Sequence, residues 1–433
     1  MGRLTRGIKP CVRSYKEITF IPAASSGGFL TGQIGFSISI LLMTSQTFDI
    51  LIIGGGVMGS SIAYHLVNDG FKGRIAVFEK DPTYERSSTT LSVGGIRRQF
   101  STEVNIRICQ YSLSFYREFG ERMKIDGDRP EIDFKPRGYL FLGSEQNWPL
   151  LVKHQGFQRS LGVETELLNI DETLRVIPDL NTEDIVGSSF SPGDGYMDPH
   201  SVLQGFVKKG KRLGVQYIDQ EVIEILRKAN RVEGVKTKSG TTYFSPIIVN
   251  AAGPYAGQVG RMVGIEIPVV PVRRMVYLLK PPRLFEYDLP LTIDTSGVYF
   301  LHETGRQILI GKSRLEEPPG VNFTWDRSYF NEVIWPLIAH RVPLFNELKL
   351  MSGWAGLYEI NQWDSNGIIG KHPEISGFFM AVGFSGHGFQ QAPAVGKALS
   401  EWIRLGRYET VDVSSLGFER ILKGEKVLEE EVV

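Results

Sequence analysis

The stretch Phe48–Val67, FDILIIGGGVMGSSIAYHLV, constrains this chain more than any other. Ile50 to Ile53 is an unbroken apolar run of strand length, the pattern of a parallel strand covered on both faces. Gly54, Gly56 and Gly59 then satisfy G-x-G-x-x-G, and Ser60 to Val67 reads as a helix. Each glycine has its own task. Gly54 permits a tight turn, Gly56 lets a pyrophosphate approach the backbone without meeting a Cβ, and Gly59 lets the helix pack close to the strand. The phosphates are expected on the unpaired N–H groups of the helix N-terminus, where the macrodipole favours negative charge. A second strand, Ile75 to Phe78, leads to Glu79, placed where an acid accepts the hydroxyl protons of an adenosine ribose. Glycine-rich turns are common, but strand, glycines, helix, strand and acid in this order predict a bound dinucleotide. The stretch is apolar enough to suggest a membrane span; three adjoining glycines and the strand-then-helix reading argue against one.

At 433 residues the chain has room for two domains and a sizeable core. Its net charge of zero supplies no basic excess for nucleic acid. Two cysteines, Cys11 and Cys109, are too few for a disulfide framework or a zinc site, and seven dispersed histidines argue against a metal enzyme. A reducing, intracellular setting is expected. Residues 1–47 differ from the rest: Arg3, Arg6, Lys9, Arg13 and Lys16 stand there with Glu17 as the sole acid. That composition predicts a mitochondrial targeting leader. The apolar run Phe29 to Met43 is short for a span, so membrane association is expected to be peripheral at most.

After Glu79 a polar loop leads to Leu91-Ser92-Val93-Gly94-Gly95-Ile96-Arg97-Arg98, in which two glycines would let the backbone lie against a planar ring and an arginine could supply a cation. Ser101 or Thr102 is expected to cap a helix reaching about Phe119, which carries Cys109 as a small buried residue. Asp198-Pro199 predicts an N-cap with proline at N1 and a helix to about Leu213. Ile247 to Gly253 reads as a further buried strand that returns to the cofactor. Antiparallel strands are expected over Pro268–Leu279, Gly297–Leu301 and Gln307–Gly311, then a helix over Tyr329–Arg341 kinked at Pro336. Gly383-Phe384-Ser385-Gly386-His387-Gly388-Phe389 precedes a last helix to Leu405. This order predicts an α/β chain whose nucleotide-binding domain is 48–105 plus 200–265 plus 345–410. An interleaved antiparallel-sheet substrate domain is expected from 106–199 plus 266–344, and a C-terminal tail over 411–433 in which no chemistry is evident.

The glycine motif with Glu79, the strand Val249-Asn250-Ala251-Ala252-Gly253 and the Gly383–Phe389 string resemble the FAD-dependent D-amino-acid oxidase superfamily, within it the sarcosine oxidase and dimethylglycine dehydrogenase branch. Leu91 to Ile96, Gln99-Phe100-Ser101, Trp354-Ala355-Gly356, Asp364 to Gly367 and Gln391-Ala392-Pro393 are similar to a group of mitochondrial flavoproteins associated with assembly of respiratory complex I. The fold implied is a Rossmann-like FAD-binding domain of the D-amino-acid oxidase type with a substrate, or cap, domain. The resemblance implies that Gly54, Gly56, Val57, Met58 and Gly59 hold the FAD pyrophosphate, with Glu79 and Lys80 at the adenosine. Val222 would contact adenine, and Ala252 and Gly253 the pyrophosphate. Gly386, His387, Gly388 and Phe389 would face the flavin N1/C2=O edge, where negative charge grows on reduction. Arg97 or Arg98 would face flavin and a substrate carboxylate, with Tyr358 beside them.

The chain departs from the family at three places. It has no cysteine near Gly356-Leu357 and no histidine near Leu91, where relatives attach flavin covalently, so FAD is expected to be non-covalent. Gln390 stands where sarcosine oxidases carry a lysine, which implies slower amine oxidation. His387 is expected to be structural rather than a base, and Trp354 and Phe384 core rather than substrate cage. One of Arg273 and Arg274 is expected to face the cavity, and Lys312 is a candidate for activating oxygen. Three functions are compatible with these residues: support of complex I assembly through possible contact with its intermediates; oxidation of a small amine or amino acid with hydride passing to flavin; and, least supported by the motifs, an NAD-dependent Rossmann enzyme.

Overall fold

Both faces of the first strand are covered, and this decides the layers around it. In the computed structural model, which describes residues 46–430 apart from Leu315, β1 (Ile50–Ile53) sends Ile50 and Ile52 into one core and Leu51 and Ile53 into another. The run is therefore unbroken rather than alternating, and each buried aliphatic contributes about 1.5–3 kcal/mol. In chain order the elements that position the site continue with α1 (Val57–Asn68), β2 (Ile75–Glu79), α2 (Glu103–Arg117), β3 (Tyr139–Gly143), α3 (Pro199–Arg212) and β4 (Gln216–Asp219). Then come β5 (Ile248–Asn250), β6 (Val269–Lys280), β7 (Leu291–Ile293), β8 (Val298–His302) and β9 (Ile308–Lys312). The last are β10 (Lys349–Asn361), β11 (Ile368–Lys371), β12 (Phe378–Val382) and α4 (Gly388–Leu405). The leader expected over 1–47 lies, up to residue 45, outside the described residues.

Six strands form one sheet in the order β11-β12-β5-β1-β2-β4, parallel throughout except that β11 is antiparallel to β12. Helices α1, α2 and α4 cover one face through Ile62, Tyr116, Phe389 and Val395. The α1–α4 contact is close: Ser61 Oγ donates to the Ala392 carbonyl at 2.8 Å, and a Cβ on Gly396 would fall 2.3 Å from that same Oγ. A smaller four-stranded sheet, with Val222, Ile225, Val232 and Tyr243 pointing inward, covers the other face. This is the α/β architecture expected from the sequence.

A second sheet runs β10-β6-β9-β8-β7-β3 and ends with Gly187–Ser191 and Glu166–Leu168. Its pairs are antiparallel except β7 with β3. Here the structure differs from the expectation in two elements. Strand β10, which the sequence placed with the nucleotide-binding segments, pairs with β6 from Val269–Asn361 to Lys280–Lys349. Its glycines serve close approach: a Cβ on Gly353 would lie 2.8 Å from Trp325, and one on Gly356 would lie 3.1 Å from Leu91. Helix α2, expected largely with the substrate half, shares the first core with α1 and α4.

Helix α3 begins as expected, with Pro199 in its first turn and Asp198 accepting the His200 N–H at 3.0 Å. Helix α2 does not: neither Ser101 nor Thr102 caps it, and Glu429 from the tail accepts from Ser101 N–H (2.7 Å), Ser101 Oγ (2.6 Å) and Thr102 Oγ1 (2.8 Å). The kink at Pro336 takes the form of a π turn, Phe330–Ile334, ahead of the helix Trp335–Arg341. Among the described residues no helix is long and apolar enough to cross a membrane.

Candidate functional site

A cavity of about 1160 Å³ opens beyond the carboxyl ends of β1 and β5 and extends to the second sheet. Gly54, Gly56, Val57 and Met58 line it at the first turn of α1, as do Glu79, Lys80, Val222, Ala252 and Gly253. The three glycines divide the labour as expected from the motif. Gly54 has φ +105° and its missing Cβ makes room for the Ala251 carbonyl, 2.3 Å from where a Cβ would be. A Cβ on Gly56 would meet nothing nearer than Thr89 Oγ1 at 3.6 Å, so that backbone is open to the cavity. Gly59 lies outside the lining and touches no ligand space: a Cβ there would fall 1.9 Å from the Gly54 carbonyl, so its part in holding a pyrophosphate is indirect.

The Glu79 carboxylate accepts the Gly55 and Asp81 N–H groups, each at 2.9 Å, which ties β2 to the glycine turn; burial raises its pKa against those bonds. The Lys80 ammonium sits 3.1 Å above the Tyr255 ring centroid. Thr89, which the sequence did not single out, accepts the Val57 N–H at 3.2 Å and brings the polar loop over the helix N-terminus.

At the other end, Gly386, His387, Gly388 and Phe389 line the cavity at the start of α4. His387 is held neutral, its pKa pushed down to about 3 by burial first and by Arg97 second. Its Nε2 lies 3.4 Å from Arg97 Nη2, and its ring stands edge-on to Phe100 at 5.1 Å. Arg97 lines the cavity, with its guanidinium 4.0 Å from the Phe100 centroid and on the Gln99 carbonyl, while its N–H donates to Gln390 Oε1 at 2.9 Å.

Arg98 is a different case. Its Nε pairs with Asp194 at 2.6 Å and its N–H donates to the same carboxylate at 2.8 Å, away from the cavity lining. Of the two arginines that the sequence could not separate, Arg97 lines the cavity and Arg98 does not. Arg98 is buried against Asp194 because Asp194, fully buried, needs a cation.

Tyr358 lines the cavity from β10, and the Arg274 guanidinium from β6 lies 5.2 Å from its ring centroid. Burial raises the Tyr358 phenol against the lowering effect of Arg274. Arg273, one residue along, points the other way onto Glu317 at 2.8 Å. Tyr299, Tyr139 and Glu359, none of them singled out in the sequence, complete this wall. Glu359 accepts the Gly383 N–H at 2.8 Å, and burial raises its pKa to about 7. Lys312 is held on the Ser296 carbonyl outside the lining, and Trp354 donates to the Leu91 carbonyl at 2.9 Å. The signal for the wall was present in the alternation of β6 and β10: Arg274 faces Gly356 across the pair, and Val272 faces Tyr358.

These residues fit FAD. The open backbone at Gly56 and Gly253, where a Cβ on Gly253 would meet nothing within 4 Å, leaves room for a diphosphate at a helix N-terminus. The second glycine cradle at Gly386–Gly388 lies at the start of another helix within the same cavity.

The pattern of the family described as DAO, FAD dependent oxidoreductase, matches residues 49–402. The chain is 37% identical over 424 residues to the FAD-dependent oxidoreductase domain-containing protein 1 of Xenopus laevis, covering 89% of this chain and 85% of that one. It is 25% identical over 381 residues to the mitochondrial dimethylglycine dehydrogenase of Homo sapiens, covering 82% of this chain and 42% of that one. Among solved structures, the L-proline dehydrogenase from P. horikoshii superposes with a TM-score of 0.81 at 29% identity, over 88% of this chain and all of that one. The chain belongs to the FAD dependent oxidoreductase family, and FAD is its cofactor.

Proposed function

We propose that this chain is a mitochondrial flavoprotein that oxidises a small amine bearing a carboxylate. The observation that carries the reading is one continuous cavity in which the glycine cradle of α1 and that of α4 meet a wall holding Arg97, Arg274 and Tyr358. FAD supplies acceptance of a hydride equivalent at its ring system. The protein's residues do the rest. Arg97 presents a fixed cation for the carboxylate, and its aromatic surroundings, Phe100 and Phe141, keep that cation away from bulk water. Neutral His387 accepts from Arg97 at Nε2 and carries no imidazolium proton to act as an acid, so its role is to orient. The N–H groups at the start of α4 lie where they favour negative charge in the cavity. FAD is held non-covalently, since Leu91 and Gly356-Leu357 offer the cavity no nucleophile. The names of the dimethylglycine and L-proline dehydrogenases, both acting on amino acids, support the substrate class.

One observation favours a second reading, support of complex I assembly without rapid turnover. Gln390 spends its Oε1 on the Arg97 N–H and brings no cation to the cavity. An anaerobic titration of the purified flavoprotein with sarcosine, dimethylglycine, L-proline and a panel of amino acids separates the two. Loss of the visible flavin band with one of these compounds is expected. A band that stays until dithionite is added would shift the proposal to the assembly role.

A further inference from the structure

We infer that Arg274 is a second anion anchor, separate from Arg97, and that the molecule this cavity takes carries two anionic groups, as an amino dicarboxylate or an N-carboxymethyl amino acid does. The inference rests on the reading of Arg97 as the holder of one carboxylate. It begins with strand alternation. Arg273 and Arg274 adjoin in β6, so their side chains leave the sheet on opposite faces. Arg273 is already satisfied: Nε and Nη2 reach the two oxygens of Glu317 at 2.8 and 3.0 Å, both groups nearly buried. Arg274 takes the cavity face with Val276.

There its hydrogen bonding is incomplete. Nη1 donates to the Arg273 carbonyl at 3.0 Å, but Nε is buried and has no acceptor among the described residues. A buried guanidinium N–H without an acceptor is costly, and a planar carboxylate meets the Nε side of the fork with two parallel bonds. The neighbouring aromatic groups are suited to hold the fork rather than to neutralise it. Tyr358 offers its ring 5.2 Å from the guanidinium, and half-buried Tyr299 lines the same wall.

Charge balance points the same way. The substrate end of the cavity holds two guanidiniums, Arg97 and Arg274, and one carboxyl, Glu359. Burial disfavours the charged form of Glu359, and one of its oxygens is taken by the Gly383 N–H. The other acids of the lining, Glu79, Asp81, Glu85 and Glu221, belong to the segments around Lys80 at the nucleotide end. A ligand whose single carboxylate is held by Arg97 would leave the buried Arg274 Nε without an acceptor. A second carboxylate supplies one.

The test compares two molecules that differ by one carboxylate and have sulfur where the amine nitrogen would be, so that neither is oxidised: thiodiacetate and (methylthio)acetate. Each is titrated into the FAD-loaded protein and followed by perturbation of the flavin spectrum. The expected result is at least tenfold tighter binding of thiodiacetate by the wild type. Arg274→Gln should bring the two ligands within threefold of each other with flavin content unchanged, and Arg274→Lys should keep part of the preference. Equal affinities in the wild type, no binding of either, or a preference that survives Arg274→Gln would overturn the inference. Amine oxidation is read separately: bleaching by a monocarboxylate amine with no thiodiacetate preference would sink this inference alone. A preference without bleaching by any amine would leave the anchor standing and sink the oxidoreductase reading.

Discussion

Gly54, Gly56 and Gly59 are alike in the motif and unlike in what surrounds them. A Cβ at Gly59 would fall 1.9 Å from the Gly54 carbonyl and 3.2 Å from Ile52, so Gly59→Val drives α1 off β1. Gly56 adopts φ −61°, ψ −175°, backbone that any residue accepts, and its nearest neighbour is 3.6 Å from a built Cβ. A Cβ there meets nothing in the protein closer than 3.6 Å and stands in the cavity where a diphosphate is expected. Gly56→Val is therefore expected to give soluble protein with the wild-type far-ultraviolet circular dichroism and little bound flavin, whereas Gly59→Val loses soluble protein altogether. Flavin absorbance per mole of purified chain measures the difference. Full flavin occupancy in Gly56→Val, or a wild-type yield of Gly59→Val, would show that the two glycines do not divide the work in this way.

At the scale of the element, helix α2 depends on residues far outside itself. The residues just ahead of its first turn, Ser101 and Thr102, donate to Glu429, whose carboxylate also accepts from Asn105 Nδ2 at 3.0 Å. Burial works against the charged form of Glu429, but the hydrogen bonds from Ser101, Asn105 and Thr102 outweigh it and hold its pKa below the usual carboxylate range. A lowered carboxyl contributes stability above its unfolded pKa and loses it as pH falls through the folded value. Glu429→Gln is thus expected to lose about 1–2 kcal/mol at pH 7, with the gap from wild type closing as the pH is taken down to 4 and below. Urea midpoints of the two proteins across that range measure it; a gap that stays constant with pH would mean that the charge has no part in this contact. The dependence also shows what the sequence could convey. The β1–α1–β2 unit was legible because strand run, glycine spacing and acid are all local. The anchoring of the residues ahead of α2 was not, since Glu429 lies 328 residues from Ser101, and Arg98 could not be told from Arg97 because its partner Asp194 lies 96 residues away. Arg274 stood between: alternation showed that one of two arginines faces the cavity, but its phase appears only with the β6–β10 register, which sets Arg274 opposite Gly356.

At the scale of the whole molecule, the cavity is walled by segments from widely separated parts of the chain: the α1 turn and the loop to Arg97, Tyr139, the Gln220 to Val276 region, the Leu291 to Phe323 region, and Gly356 to Gln390. No one of these holds the others in place by local structure. A ligand that spans the cavity binds the folded arrangement and not the unfolded chain, so its binding energy adds to stability by mass action. With free FAD at a hundred times its dissociation constant the gain is about 2.7 kcal/mol, which for a chain of this size raises the melting temperature by roughly 3 °C. ADP fills only the end built by Gly56, Glu79 and Val222 and leaves the Gly386–Phe389 cradle without a ligand. If the two cradles act as one site, FAD should raise the melting temperature well beyond ADP at equal free ligand concentration, and neither should act on Gly56→Val. Equal shifts from FAD and ADP would mean that the α4 cradle adds nothing to binding, and the continuous cavity that carries the proposed function would then be two independent pockets that happen to adjoin.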